Sequence, residues 1–473
     1  MKKLRICMSI CFFLLLLLPI ITLNRKENVV SEIDNRTLTN NPFSPAYEPE
    51  NGEFDLTEGI ESYLEDRIGF RDDMIYGYTV LNDSLFHEMV HPTYMYGRDG
   101  YIFSKMGMNI SFESYHIVFA DMVKQIQDYC TERNVPFLFV FEPEKAALLT
   151  GKLGAGINYN DDWVAQFEQA LDERGVHYID NFDVLQAKLD TGETVFNKQY
   201  NAGHWNDLGA FYGVNHMLET MKRDYPGVHV NEKNEFDIQQ KLNTTLPVSK
   251  FPIHEYEPIF YNHAQLVDKT EAYDAEVRRD ENYGYFEYVA NEERLKEGAP
   301  RTLVFQGSYM NAMGYKFMEN SLGEYIAVHD YQNVIDFDYY YNIFKPDYVV
   351  FEAAQYVISN TYFDYAKMIE MDLNPVPESF GALPVEERGM SEISMEAAEG
   401  EKLVTVTVKG LPEETGYVWL TSAGEVFDFQ KKKDEEDPGK MEYEITLEKD
   451  KYRLDSLEVE CVNKEKTKIT IYK

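Results

Sequence analysis

The stretch TLVFQGSYMNAMG, Thr302–Gly314, decides the fold. It opens with a short apolar run, which is typical of a strand buried on both faces of a parallel sheet. Gly307 and Ser308 follow at once, and a helical pattern covers 311–320. Because the carboxyl ends of parallel strands form the ligand crevice of such sheets, Ser308 is predicted to place its hydroxyl at a cleft. The alternative is a serine that merely caps a helix.

Strand and helix patterns alternate on either side of this stretch. The predicted strands lie at 135–143, 176–181, 302–308, 325–331 and 347–354, and the predicted helices at 112–133, 161–174, 207–223 and 311–320. This alternation predicts an α/β domain over 56–392 with a mostly parallel sheet flanked by helices. Residues 225–300 lose the rhythm and are expected to form an irregular insertion. Residues 393–473 alternate at period two and predict a small β-sandwich domain.

The N-terminus predicts a membrane anchor over 1–24. Lys2, Lys3 and Arg5 precede the eighteen apolar residues of 6–23, which just reach the length needed to span a bilayer. The positive flank is expected to stay in the cytoplasm, so the polar linker at 25–55 and all later residues are expected outside it. The alternative is a cleaved signal peptide, although no small-residue cleavage site is evident.

Composition narrows the class of protein. The chain has 473 residues, too many for one ordinary core, and a formal net charge of −37. Such an acidic surface repels phosphate backbones and argues against nucleic-acid binding. We see no His/Cys cluster with metal spacing and no glycine-rich nucleotide loop, so no metal or cofactor is predicted. Cys130 and Cys461 are expected to be buried free thiols rather than a disulfide.

The stretch YNAGHWNDLGA, 200–210, supplies a candidate base for Ser308. His204 lies in a loop directly before a helix that Asn206 is placed to cap, and Trp205 would shelter it from water. A serine needs a base to become a nucleophile, and histidine is the usual one. The two need not be close in sequence. The alternative is a histidine packed for structural reasons alone.

An ordered set of motifs resembles the SGNH hydrolase-like proteins of the AlgX/AlgJ (alginate O-acetylation) and DHHW type. Besides the N-terminal anchor, the set over roughly 30–390 comprises DRIGFRD (66–72), GRDGYIF (97–103), FEPEK (141–145), HWNDLGA (204–210), FQGSY (305–309) and KPDYVVFE (345–352). Ser308 resembles the family's nucleophile and His204 its base, in the family's order with the histidine first.

The resemblance implies a function at the cell envelope. Such proteins lie outside the cytoplasm and move or remove acyl groups, usually acetyl, on extracellular polysaccharides through a serine ester. AlgX-like relatives work beside a multi-spanning membrane acyltransferase that supplies the acyl group. We therefore expect a membrane-anchored, extracytoplasmic O-acetyltransferase or esterase that acts on a cell-envelope or exported polysaccharide, with such an acyltransferase as partner.

The triad acid is where this sequence departs from the family. The family's aspartate two residues before the histidine is Ala202 here, and the aspartate of SGNH esterases three residues before it is Asn201. Asn201 could orient His204 through its amide oxygen, as in Cys-His-Asn enzymes. Asp207 or Asp180 could substitute. In the third reading the site is degenerate, and the chain is a polysaccharide-binding or assembly protein.

Several further residues are candidates to bind substrate or an oxyanion. They are Gly307, Tyr309, Asn311, Trp205, Lys145 and Arg71. For Arg71 the structural alternative is an ion-pair set shared with Arg67, and for Lys145 it is a solvated loop lysine. Glu352, at the end of a predicted strand, is expected to pair with an arginine.

Overall fold

The protein is a mixed α/β chain with several sheets. The computed structural model describes residues 2–31, 33, 36–47, 54–247, 251–433, 441–453 and 456–473. Part of the predicted linker, 48–53, lies outside these residues.

The N-terminal region joins an apolar helix to two short helices and a hairpin. Its elements are α1 (Lys2–Ile21), β1 (Val30–Ser31), β2 (Arg36–Thr37), α2 (Leu56–Arg67), α3 (Arg71–Phe86), β3 (Tyr94–Tyr96) and β4 (Ile102–Ser104). Within the described residues, one segment, Lys3–Ile21, is long and apolar enough to cross a membrane. Its end touches the α2–α3 turn, where the Gly69 amide donates to the Pro19 carbonyl at 2.9 Å.

Arg67 fixes the beginning of the predicted linker. Its fully buried guanidinium donates to the carbonyls of Lys26, Leu38 and Thr39 at 2.6, 2.8 and 2.8 Å. Arg67 is therefore structural, as one alternative held, but its main partners are backbone carbonyls, which saturate the planar donor fork.

The central region alternates strands and helices. Its elements are α4 (Ser114–Glu132), β5 (Phe137–Glu142), α5 (Lys145–Leu148), α6 (Asp162–Arg174), β6 (Tyr178–Asp180), α7 (Phe182–Asp190), α8 (Asp207–Asp224), β7 (Phe236–Thr245), β8 (Pro252–Asn262), β9 (Leu266–Asp268), α9 (Thr270–Asp274), β10 (Phe286–Asn291), α10 (Glu292–Lys296), β11 (Arg301–Gln306), α11 (Tyr315–Ser321), β12 (Glu324–His329), α12 (Tyr331–Ile335), α13 (Phe337–Phe344), β13 (Tyr348–Ala354) and α14 (Tyr365–Glu370).

One seven-stranded sheet organises this region. Its order is β6-β5-β13-β11-β12-β10-β9, with parallel pairing from β6 to β12 and antiparallel pairing of β10 with both neighbours. Strands β5, β11 and β13 are buried almost throughout because helices cover both faces. Since β5, β11 and β13 are parallel neighbours, the residues that follow them meet at one edge of the sheet.

The segment 225–300 is more regular than the sequence indicated. Strands β7 and β8 form a long antiparallel hairpin, and β9 and β10 extend the central sheet. The side chains of the hairpin strands are exposed or half-buried, apart from two phenylalanines, Phe236 and Phe260, which pack against the core, and two buried polar residues, Asn243 and Glu257. The two strands pair through backbone hydrogen bonds and do not present a continuous apolar face to the core. Their sequences therefore show little alternation of apolar and polar residues, and the sequence did not indicate strands here.

The C-terminal region consists of nine strands in two sheets within the described residues. They are β14 (Val385–Arg388), β15 (Ser394–Glu399), β16 (Leu403–Lys409), β17 (Thr415–Ser422), β18 (Glu425–Asp428), β19 (Gln430–Lys433), β20 (Met441–Glu448), β21 (Glu458–Asn463) and β22 (Ile469–Tyr472). The orders are β14-β22-β21-β17-β18 and β15-β16-β20-β19. One apolar cluster combines Val406 and Ile445 of one sheet with Leu420 and Val459 of the other. Cys130 and Cys461 are both buried and free.

Asp428 joins the C-terminal sheets to the central region. Its buried carboxylate accepts from Arg133 Nη2 at 3.0 Å and from the Tyr129 hydroxyl. Its backbone exchanges two hydrogen bonds with the Asn342 side chain. This charged contact is shielded from water, so removing one partner leaves another buried and unpaired.

We expect Asp428→Ala to destabilise the protein by about 3–5 kcal/mol, because it leaves the Arg133 guanidinium uncompensated. Asp128→Ala is the control. It removes an exposed pair with Lys124 one helical turn away and should cost less than about 1 kcal/mol. Denaturant unfolding followed by tryptophan fluorescence measures the free energy of unfolding of both variants. Similar losses in the two variants would contradict a stabilising role for the buried contact between Asp428 and Arg133.

Candidate active site

Ser308 and His204 are in direct contact. Ser308 begins the helical segment after β11, which continues through a π-helical turn, Met310–Gly314, into α11. Its Oγ lies 2.6 Å from His204 Nε2, although the two residues are 104 positions apart in sequence. Both side chains are half-buried. The structure thus brings together a hydroxyl and an imidazole at the distance needed for proton transfer.

Tyr356 is a third member of this cluster. Its hydroxyl lies 3.1 Å from Ser308 Oγ and 3.0 Å from His204 Nε2. Sequence reasoning missed it. The available signal was its place just after β13, because β13 pairs in parallel with β11 and so its end lies beside Ser308. Burial raises the pKa of Tyr356, so this hydroxyl remains a donor.

Tyr309 and Trp205 hold the histidine loop against the serine helix. The Tyr309 hydroxyl lies 2.8 Å from the Gly203 carbonyl and 3.1 Å from that of Pro143, and its ring centroid is 4.8 Å from that of His204. Trp205 Nε1 donates to the Tyr309 carbonyl at 3.1 Å. Both candidates from the sequence therefore lie at the site, where they pack and hydrogen-bond its two halves together.

The helix cap fixes the loop from its other side. Asn206 Oδ1 accepts from the Gly209 amide at 3.0 Å, which caps α8. Gly209 packs so closely that a Cβ would lie 2.4 Å from the Val195 carbonyl oxygen. The sequence HWNDLG therefore places His204 two residues before the N-cap of a tightly packed helix start.

The second ring nitrogen of His204, Nδ1, is the atom that a triad acid would bind. Across the residues that the structure describes, His204 Nδ1 makes no hydrogen bond. Asn201 does not bind it: its backbone is left-handed, with φ 55°, and its amide donates to Met313 Sδ at 3.7 Å. The geometry that the sequence suggested for Asn201 is thus absent here.

The two aspartates considered as substitutes are engaged elsewhere. The Asp207 carboxylate is buried and accepts from Lys316 Nζ at 2.7 Å and from the Phe260 amide at 2.8 Å. The Asp180 carboxylate accepts from the backbone at the start of α7. In the described part of the chain, therefore, neither carboxylate contacts His204.

Ala202 marks the position at which the resemblance places the family's acid. Its side chain is buried in an apolar cluster whose members are Met89, Tyr94, Ile102, Leu246 and Phe251. A carboxylate at this position would therefore enter an apolar environment.

Burial controls the charge of His204. Desolvation lowers the pKa of His204 to about 4. Since no carboxylate among the described residues binds the ring to stabilise the imidazolium, the ring is neutral at physiological pH and can accept a proton through Nε2.

Gly307 and Asn311 lie at the same turn. The Gly307 amide donates to Glu352 Oε2 at 2.8 Å, and Asn311 Oδ1 accepts from Gln306 Nε2 at 2.7 Å. The expectation that Glu352 pairs with an arginine is wrong. Its carboxyl group is fully buried and binds the backbone amide of Gly307 instead.

Lys145 and Arg71, two further candidates from the sequence, bind residues other than Ser308 and His204. Lys145 is fully buried, and its Nζ donates to the carbonyls of Ile102 and Lys198 at 2.7 and 3.1 Å. It is therefore not a solvated loop lysine, and burial lowers its pKa to about 7. Arg71 begins α3 and binds Asp72 at 3.0 Å.

Among the described residues, no group of His, Cys, Asp and Glu side chains is suited to hold a metal ion.

Comparison with protein families gives one match at this region. Residues 95–250 match the family model ALGX, described as "SGNH hydrolase-like domain, acetyltransferase AlgX". The resemblance seen in the sequence is confirmed. The matched range contains His204 and ends before Ser308 and Tyr356. The comparison with curated proteins gives no match.

Several solved structures are similar to the chain. Bacillus cereus PatB1, with a sulfonyl adduct, is 16% identical with a TM-score of 0.43, covering 57% of this chain and 96% of that one. The O-acetyltransferase domain of Pseudomonas putida AlgJ is 15% identical with a TM-score of 0.41, covering 59% and 99%. A DHHW family protein from Eubacterium siraeum is 15% identical with a TM-score of 0.40, covering 60% and 99%.

The low pKa of His204 predicts an unusual pH profile. His204 must be neutral to accept the Ser308 proton, so sulfonylation of Ser308 by phenylmethylsulfonyl fluoride should be constant from roughly pH 6 to 8. The rate should fall only as the pH approaches about 4. Intact mass measures the adduct, with Ser308→Ala as the background. A midpoint near the ordinary histidine value of about 6.5 would contradict the burial effect.

Restoring the family's aspartate should not help this protein. We expect Ala202→Asp to lower the midpoint of thermal unfolding and to leave the sulfonylation rate of Ser308 unimproved, because the new carboxylate enters the apolar cluster. Ala202→Val, an apolar enlargement, is the control for steric effects. A rate increase of about tenfold or more with unchanged stability would show that position 202 reaches His204.

Proposed function

We propose that this protein is a membrane-anchored, extracytoplasmic O-acetyltransferase or esterase that acts on cell-envelope or exported polysaccharide through an acyl-enzyme on Ser308. The contact among Ser308, His204 and Tyr356 is the observation that carries the proposal. A hydroxyl, a neutral imidazole and a donor hydroxyl within 3.1 Å of one another suit acyl transfer.

The first half of the reaction acylates the serine. Ser308 Oγ attacks the carbonyl carbon of the acyl donor while His204 Nε2 takes the hydroxyl proton. The resulting oxyanion is stabilised by the Tyr356 hydroxyl and by backbone amides at the start of the helix, which have no acceptor within it. Collapse breaks the bond to the leaving group, which takes the proton from His204.

The second half releases the acyl group. A sugar hydroxyl or a water molecule attacks the Ser308 ester, and His204 takes its proton. The tetrahedral intermediate collapses and returns that proton to Ser308 Oγ. With a sugar as acceptor the product is an acetylated polysaccharide, and with water it is acetate.

The mechanism differs from that of a complete triad at His204. Among the described residues, the imidazolium formed in each half-reaction has no carboxylate partner, which reduces the strength of the base. The Tyr356 hydroxyl compensates in part, because it donates to the oxygen on which negative charge develops. We therefore propose an enzyme that is slower than one with a complete triad.

Location and partners form the finer part of the proposal. The α1 helix would cross the membrane, and its contact with Gly69 would hold the domain at 56–392 close to the extracytoplasmic surface. A multi-spanning acyltransferase would supply the acyl group there. Residues 393–473, with two sheets around one apolar core, would form a separate β-sandwich domain.

A second candidate function has its own support. Two features favour a degenerate site in a polysaccharide-binding or assembly protein: His204 Nδ1 has no hydrogen-bond partner among the described residues, and the surroundings of Ala202 are apolar. This candidate predicts normal binding of polysaccharide and no covalent chemistry at Ser308.

The full-length protein in detergent tests the proposal. Incubated with p-nitrophenyl acetate, it should gain the mass of one acetyl group on Ser308, and Ser308→Ala should show no adduct. His204→Ala should lose most of the acylation rate, and Tyr356→Phe should lose about 10²- to 10³-fold, as expected for one oxyanion donor. Adding an oligosaccharide acceptor separates transfer from hydrolysis by the product formed.

Tyr348→Phe is the matched control. Tyr348 begins the strand that Tyr356 follows, and its hydroxyl binds Asp224 at 2.9 Å, so this variant should acylate normally. Equal background rates in the wild type and in all the variants, with no adduct, would favour the binding protein.

A further inference from the structure

Three buried carboxyl groups lie behind the strand end that carries Ser308. Glu142 belongs to β5, Asp330 follows β12 and Glu352 belongs to β13, and each is fully shielded from solvent. Glu142 accepts from Asn181 Nδ2 at 2.8 and 3.0 Å. The other two carboxyl groups are less well satisfied, which is costly for buried polar groups.

Glu352 touches the turn that presents the nucleophile. Its Oε2 accepts from the Gly307 amide at 2.8 Å, while its Oε1 has no hydrogen-bond partner in the described part of the chain. The Gly307 amide belongs to the peptide that joins Gln306, the last residue of β11, to Gly307. The contact therefore fixes the backbone immediately before Ser308 and limits the directions in which the Ser308 side chain can project.

Asp330 approaches the same glycine. Among described residues neither of its carboxyl oxygens forms a hydrogen bond, although His329 Nδ1 lies 3.1 Å from Oδ1. A Cβ placed on Gly307 would lie 3.6 Å from both Asp330 oxygens and 3.7 Å from Glu352 Oε2. Two poorly satisfied carboxyl groups thus converge on one side of the serine turn.

Two buried carboxylates this close to one point cannot both carry charge at reasonable cost. Burial, with the nearby Glu142 and Asp330 carboxyl groups, raises the pKa of Glu352 well above its usual range. Burial raises the pKa of Asp330 too, but the His329 ring, 3.1 Å from Asp330 Oδ1, opposes that shift. Among the described residues Glu352 accepts only from the Gly307 amide, so Glu352 is the carboxyl that we expect to be neutral at physiological pH. An ionised Glu352 would add negative charge beside the turn where an oxyanion must form, which opposes the reaction.

We propose that Glu352 is a positioning residue that, as a neutral carboxylic acid, holds the Gly307 amide and thereby orients the Ser308 hydroxyl toward His204 and Tyr356. This inference rests on the proposed function for its kinetic consequences. The neutral state and the contact with Gly307 do not depend on that function.

Two substitutions of Glu352 test whether its side chain positions Ser308 or only fills space in the core. Glu352→Gln keeps a neutral side chain with an oxygen that can accept from Gly307, so kcat for p-nitrophenyl acetate should stay close to wild type. Glu352→Ala removes the acceptor and should lower kcat about 100-fold with little change in KM, because the hydroxyl loses its orientation.

The pH profile tests the neutral state. As the pH rises, the wild-type carboxyl ionises and the rate of acylation should fall. Glu352→Gln cannot ionise and should lack this alkaline decline. Glu319→Gln replaces another buried carboxyl, on α11, and should keep the wild-type profile. A decline that persists in Glu352→Gln would overturn the proposal.

Two readouts remain informative whether or not the protein acylates. Infrared difference spectra of wild type against Glu352→Gln should show the carbonyl stretch of a protonated acid, which a carboxylate lacks. Exchange of the Gly307 amide should be slow in wild type and Glu352→Gln and fast in Glu352→Ala. If wild type never acylates yet both readouts hold, the proposed function fails while Glu352 keeps its assigned state and contact. A carboxylate spectrum, or unchanged exchange in Glu352→Ala, overturns the inference about Glu352 itself.

Discussion

The hydrogen bond between Ser308 and His204 is the contact on which the site depends, and two distant segments must meet to form it. The serine arrives on the strand-to-helix turn after β11, and the histidine arrives in the loop before α8. Tyr309 couples them, because its backbone follows the serine while its hydroxyl binds the carbonyl next to the histidine. The serine turn lies at the carboxyl edge of the parallel sheet, and Tyr309 holds the histidine loop against it.

Neutral groups dominate the surroundings of the nucleophile. Burial lowers the pKa of His204 and raises those of Tyr356 and Glu352, so each is uncharged near neutral pH. None of these three side chains carries charge before the oxyanion and the imidazolium form. Fixed donors are most effective under such conditions, since little solvent screens them.

The sequence predicted those site residues whose neighbours in the chain form a recognisable pattern. Ser308 follows a buried apolar run and precedes a helix, and His204 precedes a capped helix start, so both were identifiable from neighbouring residues. Tyr356 was not, because its proximity to Ser308 depends on the pairing of β13 with β11, which sequence spacing does not reveal. Lys145 follows a predicted strand and Glu352 lies in another, but their burial and backbone partners arise only from tertiary packing.

In the proposed mechanism Ser308 carries the acyl group within reach of Tyr356. A crystal structure of the full-length protein after reaction with a slowly hydrolysed acetyl ester tests this most directly. We predict density for an acetyl group on Ser308 Oγ, with its carbonyl oxygen within hydrogen-bond distance of the Tyr356 hydroxyl. An acetyl group on another residue, or a carbonyl oxygen turned away from Tyr356, would contradict it.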